Sequence, residues 1–106
     1  MRELNLQELE SLKEKKRSFA LYVRSELKKD KIKELFDTEI VVPELEKAFG
    51  GRLEFYSIDA DSHKDILRDF RLPSLVLFKE GSVFRVFEGI QAWSEYMEGF
   101  SEMLGG

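Results

Sequence analysis

The most constraining stretch of this chain is Arg71–Gly89. It opens Arg71-Leu72-Pro73-Ser74 and runs through the unbroken apolar segment Leu75-Val76-Leu77-Phe78. Lys79-Glu80-Gly81 follows, then a second stretch, Ser82–Glu88, closed by Gly89. An apolar run without alternation is what a strand covered on both faces requires. Glu80-Gly81 supplies a tight turn, because Gly81 can take positive φ. Two strands joined so closely must pair antiparallel. Pro73 cannot donate to a ladder, so it belongs at the first residue of its strand. The Leu72–Pro73 linkage is also the only common kind of site for a cis peptide.

Upstream, Asn5 with Glu8 three residues on reads as a capping box. Leu6, Leu9 and Leu12 then stripe one face of a helix, which Lys13, Lys15, Lys16 and Arg17 close at the negative end of its dipole. That basic cluster lacks an aromatic platform and reads as a solvated helix end rather than a phosphate or lipid contact. Ser18–Val23 is a buried strand. Arg24–Lys33 is a charged loop or exposed helix start. Ile32, Leu35, Phe36, Val41, Val42, Leu45, Ala48 and Phe49 recur at helical spacing around Pro43, which starts a second helix or kinks a continuous one. Gly50-Gly51 ends that segment. Leu53–Ile58 is the next strand. Ser62 with Asp65 is expected to cap a helix over 63–69. Trp93, Tyr96, Met97, Phe100, Met103 and Leu104 mark the clearest amphipathic helix, with Trp93, Tyr96 and Phe100 expected in the core. Gly105-Gly106 is expected to stop it.

Strands separated by helices favour parallel pairing with right-handed crossovers, and the closing hairpin adds an antiparallel pair. The expectation is an α/β fold: a mixed four-stranded sheet with helices on both faces and an extra N-terminal helix. At 106 residues, with no internal repeat or linker, the chain fits one domain spanning 1–106, with its core over about 18–104. A formal net charge of −4 argues against a general nucleic-acid binder. The absence of cysteine removes disulfides, thiolate nucleophiles and thiolate metal sites together. The first residues show no secretory h-region, and no apolar run approaches membrane-spanning length, so a cytoplasmic protein without stable membrane insertion is expected.

Leu72-Pro73-Ser74, Lys79-Glu80-Gly81, Gly89, the strand end Ser57-Ile58-Asp59 and the helix-kinking Pro43 together resemble the thioredoxin fold. Redox members of that family carry Trp-Cys-x-x-Cys at the entry to the helix that holds the proline. Counting back from Pro43 puts Leu35-Phe36-Asp37-Thr38 there. Thiol–disulfide exchange needs one thiolate to attack and a second thiol to resolve, so that activity does not carry over. Within the fold, Ile40-Val41-Val42-Pro43-Glu44-Leu45 and Gly89-Ile90-Gln91-Ala92-Trp93-Ser94-Glu95 resemble the cysteine-poor, thioredoxin-like hydrogenase-expression proteins of the HyaE/HupG type. The resemblance implies a non-enzymatic chaperone in nickel–iron hydrogenase maturation. Its partner would be the twin-arginine signal peptide of the small-subunit precursor, with other maturation proteins as further partners and no cofactor. The alternative is a redox-inactive thioredoxin-like scaffold or oligomerisation domain of other specificity.

Two candidate peptide-binding surfaces follow. Leu72, Pro73 and Ser74 can line a groove in which an extended peptide pairs with backbone, and the bland alternative is a proline that only sets strand register. Asp37, Thr38, Glu39, Glu44 and Glu46 surround the entry of the Pro43 helix. There carboxylates can take paired arginines by bidentate contacts, or simply complement the helix dipole. Asp59, Asp61, His63 and Asp65 alternate like metal ligands, but without the glycine and late Glu of a calcium loop. They read as a turn and cap with a surface histidine. No acid/base pair or phosphate-cradling loop is present.

Overall fold

The structure is a computed structural model and describes residues 1–105. Five strands form one sheet: β1 (Arg2–Leu4), β2 (Phe19–Arg24), β3 (Glu54–Asp59), β4 (Ser74–Lys79) and β5 (Ser82–Glu88). Their order is β1-β3-β2-β4-β5. β3 runs parallel to both β1 and β2, whereas β4 is antiparallel to β2 and β5. The expected sheet had four strands. The fifth, β1, is three residues long with a single apolar side chain, too short for any periodicity to register. It forms because β3 offers a free edge, and Leu4 is buried beneath it.

Three α-helices accompany the sheet: α1 (Leu6–Glu14), α2 (Lys33–Phe49) and α3 (Trp93–Gly105). The capping box is complete. Glu8 N–H donates to Asn5 Oδ1 at 2.8 Å, and Asn5 N–H donates to Glu8 Oε1 at 3.0 Å. α2 runs unbroken through Pro43. α3 continues through Gly105 instead of stopping there, and Gly106 lies outside the described residues. The segment after β3 is a short 3-10 helix over Lys64–Arg68 with no side-chain cap at its start. Ser62 does not cap it, because its hydroxyl donates to Asp59 Oδ2 at 3.2 Å.

β2 and β4 lie at the centre of the sheet, and each is buried along its whole apolar run. Alternate side chains therefore feed two cores. Ala20, Tyr22, Leu75 and Leu77 face Val42, Leu45 and Phe49 of α2 with Tyr96, Phe100 and Met103 of α3. Phe19, Leu21, Val23, Val76 and Phe78 face Leu9 of α1, Ile66 and Phe70. Helices cover both faces, as expected. Phe100 is the hub of the α2–α3 side: its ring stacks on Phe49 at 4.5 Å and on Phe55 at 5.6 Å between centroids. Trp93 is not part of this core. It is 48% exposed at the first turn of α3, while Tyr96 and Phe100 are buried.

The β4–β5 turn places both Glu80 (φ 52°) and Gly81 (φ 84°) in the left-handed region. It packs on the end of α1, where a Cβ on Gly81 would collide with the Lys13 carbonyl. Replacing Phe100 with Ala should lower unfolding free energy by about 3–5 kcal/mol, the usual cost of deleting a fully buried aromatic side chain. Val83→Ser, on the exposed edge, should change it by no more than about 0.5 kcal/mol. Urea denaturation of the two variants checks this; comparable losses would mean the core is not centred on Phe100.

Candidate functional site

Three segments far apart in sequence meet where β4 begins. The Leu72–Pro73 bond is cis. Pro73 is buried and lies one residue before β4 rather than on its first residue. Its carbonyl accepts the Gly89 N–H at 2.8 Å. Ser74 is also buried, and its hydroxyl donates to the Arg71 carbonyl at 2.7 Å. Leu72 differs from both. It is half-buried, and neither its N–H nor its C=O has a backbone partner among the described residues. An unpaired amide and carbonyl at a sheet end are what an extended segment needs to pair with. Of Leu72, Pro73 and Ser74, it is Leu72 that offers free backbone groups.

Gly89 has φ 66°, a left-handed conformation suited to glycine. A Cβ there would run into the Glu34 carboxylate. Glu34, in the first turn of α2, accepts the Ile90 N–H at 3.2 Å. The Gln91 N–H in turn donates to the Tyr96 hydroxyl at 3.1 Å. The start of α2, the entry to β4 and the approach to α3 are thus fastened into one corner. Glu34 was not among the residues singled out from sequence. Its partner lies 56 positions away, and no local pattern marks it.

The Leu35–Thr38 turn of α2 is split between core and solvent. Leu35 and Thr38 are buried. The Thr38 hydroxyl pairs with the Tyr22 hydroxyl at 2.7 Å and with the Leu35 carbonyl at 3.2 Å. Thr38 is therefore held on the buried side of α2. Burial pushes the Tyr22 phenol well above its ordinary range, and the Thr38 bond only partly offsets this, so Tyr22 stays protonated. Phe36, one of the apolar residues at helical spacing, is 64% exposed.

The carboxylates around the helix entry have different fates. Asp37 is half-exposed and makes no ion pair among the described residues. Glu39 accepts from Arg24 Nε at 3.0 Å and Arg24 Nη2 at 2.7 Å, with Lys29 at 3.2 Å. Arg24 also pairs with Glu26 at 2.7 Å. Glu44 lies 3.4 Å from Lys47, and Glu46 lies 3.5 Å from the Met1 amino nitrogen. Glu39 and Glu46 share a hollow of about 360 Å³ with Tyr22, Arg24, Pro43 and Ser57. Burial alone would raise the Glu39 carboxyl, but bonds from Arg24, Tyr22 and Lys29 outweigh it and hold it at about 2.

The alternating acids after β3 are structural. Asp61 accepts the Ser25 hydroxyl at 2.5 Å and the N–H groups of Glu26 and Leu27 at 3.1 Å each. These bonds, the Ser25 hydroxyl first, hold its carboxyl below the usual range. Asp59 accepts the Asp61 N–H at 2.9 Å. Asp61 is thus spent on fixing the loop between β2 and α2, Asp59 on the turn that follows β3, and Asp65 lies 3.7 Å from Arg68.

The Glu39 carboxylate carries a testable pH signature. A group with a depressed folded pKa adds stability above its unfolded value, here 4.5, and loses it as pH falls toward about 2. Glu39→Gln should therefore be less stable than the parent at pH 7, with the gap closing between those two values. Urea midpoints at pH 7, 4.5 and 2.5 measure it, and a gap that stays constant with pH would remove the Arg24–Glu39 pair as its source.

Known proteins resemble this chain in sequence and in fold. The family description "Hydrogenase-1 expression protein HyaE" matches residues 1–96. An uncharacterized protein of Aquifex aeolicus (strain VF5) is 42% identical over 104 residues, covering 98% of this chain and 90% of its own. Among solved structures, mitochondrial thioredoxin 3 of Saccharomyces cerevisiae superposes with a TM-score of 0.77 at 18% identity, covering 96% of this chain and 94% of that one. A thioredoxin from Trypanosoma brucei brucei gives 0.79 at 11% identity, covering 98% and 90%. These likenesses establish the thioredoxin fold.

Proposed function

The chain belongs to the HyaE family of hydrogenase-1 expression proteins, and we propose that it acts there as a non-catalytic escort, binding the twin-arginine signal peptide of a hydrogenase small-subunit precursor in the cytoplasm. The observation that carries this reading is the corner at Leu72. Free backbone groups are presented beside the Pro73–Gly89 hydrogen bond and next to the exposed start of α2. Residues that would perform chemistry in a redox relative are absent: Leu35 and Thr38 fill the two thiol positions by count from Pro43. A site with a strand-pairing edge, apolar neighbours and nearby carboxylates can grip a basic, extended segment without altering it.

The ion pairs already on α2 refine which carboxylates serve. Glu39 is occupied by Arg24 and Lys29, so an incoming arginine must displace a partner there. Asp37 carries no such cost, and Glu34 stands at the corner itself. A second reading, a scaffold that self-associates, draws on one observation. Edge strand β5 exposes Val83, Phe84 and Val86 at 49%, 38% and 37%, and such edges can pair with another chain.

Calorimetric titration with a synthetic twin-arginine signal peptide and its Lys-Lys counterpart tests the escort reading. The arginine peptide should bind in the micromolar range, about −8 kcal/mol. The Lys-Lys form should bind several-fold more weakly, since lysine cannot make the bidentate contact. Affinity should fall between low and physiological salt. No heat of binding, or equal salt-insensitive affinity for both peptides, would eliminate the proposal. Concentration-dependent dimerisation abolished by a charge in β5 would favour the scaffold instead.

A further inference from the structure

We propose that the outward face of α2 seats the apolar run that follows the charged residues of a signal peptide, packed lengthwise along a seam formed by Phe36, Ile40 and Pro43. This rests on the escort reading and extends it, because it assigns the apolar run to a place distinct from the strand-pairing corner at Leu72.

The seam is anomalous for a helix of this kind. α2 buries Leu35, Thr38, Val42, Leu45 and Phe49, which is all its core face needs. The opposite face of such a helix is ordinarily polar. Here Phe36 and Ile40 are 64% and 59% exposed, and Pro43 is exposed beside them. Offsets of four and seven residues place the three on one line down the helix. At about 1.5 Å per residue, that line is roughly 10 Å long, enough for two turns of a packed helix.

Charge selects the occupant. Asp37 and Glu44, seven apart, run along one side of the seam, and Glu39 and Glu46, also seven apart, run along the other. With Glu34, α2 holds five carboxylates against Lys33 and Lys47. Glu39 is already paired with Arg24 and Lys29, Glu44 with Lys47 and Glu46 with the Met1 amino group, so Glu34 and Asp37 are the ones left without an ion pair among the described residues. Two copies of the chain meeting through this face would set acidic rows against acidic rows, which disfavours a symmetric dimer here. A segment in which cationic side chains adjoin an apolar run has the complementary pattern. The seam also opens onto the corner, because Glu34, two residues before Phe36, holds the Ile90 amide beside Gly89 and Pro73. A client can therefore pair its extended basic part at Leu72 and lay its apolar part along α2.

The test uses two synthetic peptides: one with two consecutive arginines followed by about a dozen apolar residues, and one ending before the apolar run. Each is titrated calorimetrically into the parent chain, Phe36→Ser/Ile40→Ser, and Val83→Ser as an exposed apolar control. The double variant should bind the long peptide roughly tenfold or more weakly, a difference well within what burying two such side chains can supply. It should bind the short peptide as the parent does, and Val83→Ser should match the parent throughout. Ile40→Ser alone gives the same comparison if the double variant unfolds at lower urea. Equal affinity of parent and double variant for the long peptide overturns the seam and leaves the escort reading standing. Failure of the parent to bind either peptide overturns both. A parent dimer in sedimentation that the double variant loses overturns the seam by assigning it to a second copy.

Discussion

The structure depends on covering a central pair of strands from both sides. β2 and β4 are apolar on each face, so neither can sit at a surface, and the sheet must carry helices above and below it. α2 and α3 fill one side around Phe100, while α1 and the 3-10 helix fill the other. α2 supplies its share of that cover with its inward residues Leu35, Val42, Leu45 and Phe49. What that helix carries on its outer side is free to serve another purpose, and the same holds for the edge residues of β5.

Much of this was legible in order along the chain. The hairpin, the capping box, the glycines at the turns and the period of α2 and α3 are local signals, and each lies where the residues placed it. The failures share a cause. β1 exists only because β3 has an open edge, and Arg2-Glu3-Leu4 says nothing of that alone. Ser62 had the look of a cap, but Asp59 claims its hydroxyl. α2 has more apolar positions than one face can bury, so periodicity could not decide that Phe36 faces out and Leu35 in. Trp93 was placed in the core on spacing, yet it is 48% exposed while Tyr96, three residues on, is buried. At the candidate site, Pro73 and Gly89 were visible as special backbone residues. The Glu34–Ile90 bond that joins them to α2 spans 56 positions and was not.

The acidic residues near the helix entry illustrate how a composition-level reading changes once partners are known. Four carboxylates looked equivalent in sequence. In the fold, Glu39 is engaged by a guanidinium and an ammonium, Glu46 faces an amino group, Glu44 faces Lys47, and Asp37 has no ion-pair partner among the described residues. A patch of formal charge is therefore graded, with its uncommitted part toward the corner. The positions where thiols would stand in a redox relative show the same economy. Leu35 joins the core, and Thr38 satisfies the buried Tyr22 hydroxyl, so both positions serve the packing of α2 against the sheet.

Trp93 lies four residues beyond Gly89, half in solvent, and the chain has a single tryptophan. All the indole emission of the protein thus originates at the first turn of α3, close to where strand, helix and loop are tied together. The molecule carries a native optical label at that end, sensitive to water and to whatever displaces it, with no second fluorophore of its kind in the interior to mask the signal.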